Sequence, residues 1–140
     1  MLFNGKSICN INDSIVVSIE KRNKHILINQ SGSDVYKYHI DGDIVKRKDV
    51  QKCDYIVEVN TSNCLMAFVI ELKGSDTKKA IEQIKSTMNI FKDELKGYKL
   101  CPRVVINKVP SHDVHSSIYR EFKKQFPNFK MGTKVVEDMV

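Results

Sequence analysis

No apolar run in the 140 residues approaches the ~20 needed to cross a bilayer. The opening Met1-Leu2-Phe3-Asn4-Gly5 has neither the charged nor the apolar region of a secretory signal, so the expectation is a cytoplasmic protein with no membrane partner. Cys9, Cys53, Cys64 and Cys101 show no C-x-x-C spacing, which argues against a zinc or disulfide framework. They lie at or inside apolar segments and read as reduced core thiols. There is no internal repeat, low-complexity segment or interdomain linker, and the length suits one domain spanning 1–140. Acidic residues are in deficit, 17 against 23 Lys and Arg, and the net charge of +6 suits contact with polyanions such as nucleic acid.

The strongest pattern present is a pair of β-branched and aromatic runs on either side of Asn60-Thr61-Ser62-Asn63, which reads as an antiparallel hairpin. With the turn centred between Ser62 and Asn63, Val59 faces Met66, Val57 faces Phe68 and Tyr55 faces Ile70, an all-apolar face. Ile56 then faces Val69, and Asp54 faces Glu71, with Lys73 two residues further along the same side. Carboxylates placed opposite one another repel by a few tenths to ~1 kcal/mol, a conflict that a divalent cation removes.

The rest of the chain supplies elements around this hairpin. Asn12 or Asp13 is placed to cap a short first helix through Ile15, Val16 and Ile19, ending at Glu20, although these β-branched residues also suit a strand. Strands are expected at His25–Asn29 and Val35–Ile40, with turns at residues 30–34 and at Asp41-Gly42-Asp43. Tyr36 and Tyr38 alternate with polar neighbours and read as core packing rather than a base-stacking platform. Lys46-Arg47-Lys48-Asp49 reads as a solvated loop able to touch phosphates.

From Asp76, the residues Ala80, Ile81, Ile84, Met88, Phe91 and Leu95 form the apolar stripe of a helix of about five turns ending at Gly97. Arg103 to Val109 reads as a buried strand closed by Pro110, parallel to Met66–Lys73 through a right-handed crossover. A second helix is expected from Ser111 to Pro127, and a last strand from Phe129 to Val136. His112 and His115 have a metal-like spacing but no third ligand nearby, and read as loop or cap residues. The fold class expected is α/β, a mixed and mainly antiparallel sheet flanked by helices in the order α-β-β-β-α-β.

Mg²⁺ takes oxygen ligands and keeps several waters, so two carboxylates from neighbouring strands, such as Asp54 and Glu71, suffice to hold it. A lysine beyond the second carboxylate is placed to bond a metal-bound water and to stabilise charge on a phosphate under attack.

Asp54, a gap of sixteen residues, and Glu71-Leu72-Lys73 resemble the signature of the PD-(D/E)XK nuclease superfamily, and the expected order of elements from Asp13 to Val136 resembles its restriction endonuclease-like core. The resemblance implies a Mg²⁺-dependent nuclease, with Mn²⁺ as a substitute, acting on DNA ahead of RNA. It implies Asp54, Glu71 and the Leu72 carbonyl as metal ligands, Lys73 as the residue that orients or activates water, and Glu20 and Gln83 as helix-borne auxiliaries. Cys53 stands where the eponymous proline would be. The other reading is a catalytically silent nuclease-fold module that binds nucleic acid or regulates, for example in a defence or toxin–antitoxin system. A domain this small leaves room for a homodimer or a protein partner in choosing substrates.

Overall fold

The first two elements are strands, β1 (Ile15–Glu20) and β2 (Asn23–Ile28), paired antiparallel through the two-residue turn Lys21-Arg22. This corrects the helix expected after Asn12 or Asp13. A period of two prevails there: Val16 and Ser18 are buried, whereas Ile15, Val17 and Ile19 lie on the exposed face. Four β-branched residues in six lose side-chain freedom in a helix but fit a pleated surface. The computed structural model describes residues 1–72, 74–108 and 116–140.

Next come β3 (Asp34–His39), β4 (Tyr55–Asn60) and β5 (Leu65–Glu71), an antiparallel run. The hairpin register is the one the alternation requires, with Val59 opposite Met66, Val57 opposite Phe68, Tyr55 opposite Ile70 and Ile56 opposite Val69. Helix α1 (Thr77–Ile90) follows, its first turn capped by the Asp76 carboxylate, which accepts the Lys79 N–H at 3.1 Å. It stops short of the expected Gly97. Phe91 and Leu95 continue the buried stripe from a series of turns, so the apolar spacing overstates the helix.

Strand β6 (Tyr98–Ile106) runs parallel to β5, as the crossover requires, but begins five residues before Arg103. Pro102 lies within this strand, although proline cannot donate to a ladder. It is tolerated because the next strand covers only Arg103–Ile106, leaving Pro102 on a free edge. Helix α2 (Ser117–Gln125) is capped by Ser116; the expected start at Ser111, like Val109 and Pro110, lies outside the described residues.

The single last strand expected is two, β7 (Lys130–Thr133) and β8 (Val135–Met139). The chain turns at Lys134, whose φ of 66° is left-handed. At Gly132 a Cβ would stand 2.9 Å from the Val136 side chain, so only glycine permits this fold-back.

The described residues form an α/β domain of two mixed sheets, ordered β1-β2-β8 and β3-β4-β5-β6-β7. One face of the larger sheet packs Ile56, Ala67, Val69 and Val104 against Ala80, Ile81 and Ile84 of α1 and Phe122 of α2. Its other face packs Val57, Val59, Phe68 and Ile70 against Val16, Leu27 and Val136 of the smaller sheet. The second sheet therefore occupies the layer where the expected first helix would have lain.

A charge network crosses between the sheets. Asp138 accepts from His25 Nε2 at 2.8 Å, from Arg103 Nε at 2.7 Å and from Lys130 Nζ at 2.8 Å, and the Arg103 guanidinium lies 5.3 Å from the centre of the Phe68 ring. Tyr38 is fully buried, its hydroxyl donating to Glu58 at 2.8 Å, which bears out the core reading of that residue. No described helix is long and apolar enough to cross a membrane.

The topology brings one end of the larger sheet to a focus. β5, β6 and β7 are parallel, so Glu71, Asn107 and Lys134 lie at or just beyond their carboxyl ends. Asp54, at the start of antiparallel β4, arrives at the same end. Crevices outside the carboxyl ends of parallel strands are where α/β sheets bind ligands.

Candidate functional site

Asp54 precedes β4 by one residue and Glu71 is the last residue of β5. The regular pairing of β4 with β5 ends at Tyr55 and Ile70, short of the expected Asp54–Glu71 pair; beyond it the Asp54 N–H donates to the Ile70 carbonyl at 3.1 Å and the Leu72 N–H to Asp54 Oδ2 at 2.8 Å. The carboxylates are 1% and 0% exposed. Both are felt at the neighbouring Cys53 thiol, which burial first of all, and then the charges of Glu71 and Asp54, push far above the ordinary thiol range. The four cysteines are free; Cys53 and Cys101 are core thiols as expected, whereas Cys64 is exposed.

Helix α1 holds the segment that delivers Asp54. Ser86 Oγ donates to the Gln51 carbonyl at 2.7 Å, Gln83 Nε2 to the Lys52 carbonyl at 3.4 Å, and the Cys53 N–H to Thr87 Oγ1 at 2.7 Å. Three side chains at i, i+3 and i+4 on one helix face thus fix residues 51–53 against it.

Glu71, Gly74, Asp76, Lys79 and Gln83, together with Lys21 from the β1–β2 turn, line a cleft of about 270 Å³. Lys79 and Gln83 also line an adjoining cleft of about 240 Å³, which Lys48, Asp49 and Lys52 reach from the basic loop. Arg47 in that loop pairs with Asp49 at 2.7 Å. Gln83 lies on α1, one helical turn beyond Lys79, and lines the same cleft as Glu71.

Glu20 does not keep its expected place on a helix. It ends β1 opposite Asn23, near Tyr55, and is not among the side chains lining the Glu71 cleft. Lys21, in the β1–β2 turn, reaches the cleft instead. Asp76 and Lys79 were also missed. Their signal was available, since Lys79 and Gln83 are four apart on one helix face and Asp76 has the position of an N-cap. Lys73 lies outside the described residues, as do His112 and His115.

The donor set suits a hard cation. Asp54, Glu71 and the backbone carbonyl of Leu72 offer only oxygen, and Mg²⁺ needs one or two carboxylates when water and phosphate complete its shell. Leu72 is itself fully buried against the smaller sheet, which fixes the backbone at this point. Among the described residues no group of three or more His, Cys, Asp or Glu is gathered for a metal. Comparison of the chain with protein-family models, curated proteins and solved structures found no match.

Proposed function

We propose that this protein is a Mg²⁺-dependent nuclease of the PD-(D/E)XK type that hydrolyses phosphodiester bonds, in DNA ahead of RNA. The observation that carries this reading is that two buried carboxylates, Asp54 and Glu71, stand at the same end of the central hairpin and that Glu71 lines a cleft with Lys21, Lys79 and Gln83 in its walls. Asp54, Glu71 and the Leu72 carbonyl would hold the metal, with Mn²⁺ able to replace Mg²⁺. The metal supplies Lewis acidity toward the phosphate and a water of lowered pKa. Lys79 and Lys21 attract the phosphate and offset its negative charge. Gln83 is placed to offer an amide to a water or a phosphate oxygen, and Lys73 carries the water-orienting role implied by the Glu-x-Lys pattern.

The test is cleavage of single- and double-stranded DNA and RNA with Mg²⁺ or Mn²⁺. Activity that survives Glu71→Ala and Lys73→Ala sinks the assignment.

One observation favours the second reading, a silent nuclease-fold binding module. The layer expected to hold the first helix and its acidic residue is a sheet, and Glu20 lies outside the cleft. That reading expects salt-sensitive nucleic-acid binding without metal dependence. Calorimetric binding of Mn²⁺ that is lost in Glu71→Ala counts against it.

A further inference from the structure

We propose that the cleft at the tip of the β1–β2 hairpin is a subsite for the phosphate backbone of a nucleic-acid strand, from which the strand passes into the Glu71 cleft. Only that last clause rests on the nuclease reading.

The cleft, of about 470 Å³, is lined by Lys21, Arg22, Asn23, Asn107 and Lys134. Its walls hold, among the described residues, three cations, two amides and no carboxylate. Among the described residues none of the three cations is paired with an acid. Unpaired like charges around one concavity repel one another and are relieved by a polyanion.

The backbone supplies an independent observation. Lys21 and Lys134, with φ of 54° and 66°, are the two non-glycine residues of the described chain with positive φ. Any residue with a Cβ is strained there, glycine is not, and such strain collects at ligand sites. Both lysines line this cleft. The Lys24 N–H donates to the Lys134 carbonyl at 2.9 Å, which ties the hairpin to the β7–β8 turn, and the Lys134 N–H donates to Ile106 at 3.1 Å, next to Asn107.

A third observation comes from Asn23, which is 2% exposed. Its Nδ2 donates to the Val105 carbonyl at 3.4 Å, which orients the amide, and its Oδ1 has no partner. A buried acceptor in a cationic cleft is matched by a ligand that brings donors as well as phosphates, as a nucleotide does through its hydroxyl and amino groups or a bound water. Lys21 lines both clefts, so the two adjoin at that residue.

The experiment is fluorescence anisotropy of a labelled oligodeoxynucleotide, single-stranded and duplex, titrated in EDTA over a range of salt. Arg22→Ala/Lys134→Ala is compared with wild type and with Lys96→Ala, a control at the opposite end of β6. Wild type and the control are expected to bind alike. The double variant should bind about tenfold more weakly, with a salt slope shallower by about one to two. Lys134→Gly, which relieves the left-handed backbone and so folds readily, should show about half the change in slope. Equal binding by all proteins, an equal loss in the control, or no binding by wild type overturns the subsite. Metal-dependent cleavage is scored separately: loss of binding in a protein that never cleaves sinks the nuclease reading alone, and cleavage with unaltered binding in the variants sinks the subsite alone.

Discussion

Thr87 accepts the backbone N–H of Cys53 at 2.7 Å and donates its own hydroxyl to the Gln83 carbonyl at 2.9 Å, so the residue before Asp54 hangs from the helix that carries Gln83. Thr87→Val keeps the shape and leaves a buried N–H without an acceptor. The expected loss is about 1–3 kcal/mol, read as a lower urea midpoint at unchanged slope. If the protein cleaves nucleic acid, kcat should fall with KM held, because Asp54 loses its anchor while the basic clefts are untouched.

The carboxylates themselves can be separated from binding. Asp54→Asn and Glu71→Gln should each reduce metal-dependent cleavage by about 100-fold or more. Both should still bind an oligonucleotide in EDTA with wild-type affinity, since the cations of the clefts remain. Gel-based cleavage and anisotropy on the same preparations check the two halves.

Acid should act through Asp138. Burial pushes its carboxyl upward, but the hydrogen bonds from His25, Arg103 and Lys130 outweigh that and hold it far below the ordinary carboxylate range. A depressed folded pKa contributes stability that is fully present above the unfolded value of about 3.9 and is lost as pH falls from there toward the folded pKa. Urea unfolding at stepped pH should show wild-type stability falling below about pH 4. Asp138→Asn should be flatter in that window and less stable by about 3–5 kcal/mol at neutral pH, because Arg103 is left buried without a counter-charge.

Lys21→Gly sets strain against binding. At φ 54° glycine removes a cost of about 1–2 kcal/mol, so thermal unfolding should occur at higher temperature. Oligonucleotide affinity should fall in the same variant. A gain in stability without a loss of affinity would mean that the lysine is there for reasons other than a ligand.

The readings that held rest on patterns local to a few residues. The pairing of Val57 with Phe68 and of Ile56 with Val69 follows from strict alternation and a short turn, and a slip of one would expose the apolar face. The apolar stripe from Ala80 to Ile84 likewise needed only helical spacing. The readings that failed lie where two regular structures compete for one pattern. Ile15, Val16 and Ile19 fit a helix face as spacing, yet Ser18 is buried and Val17 exposed, the order of a strand that has β2 beside it.

Residue order along the chain was enough to bring Asp54 and Glu71 to one end of a hairpin and to set Gln83 on the helix above them, because each of these relations spans a single turn or crossover. It was not enough to place Lys21 beside Glu71, or Lys134 beside Lys21. Those contacts depend on a second sheet closing over the first, which rests on a left-handed residue at 134, a glycine at 132 and a buried Asp138 joining four strands. Such contacts join residues about 50 to 110 positions apart, and packing, rather than local periodicity, selects them.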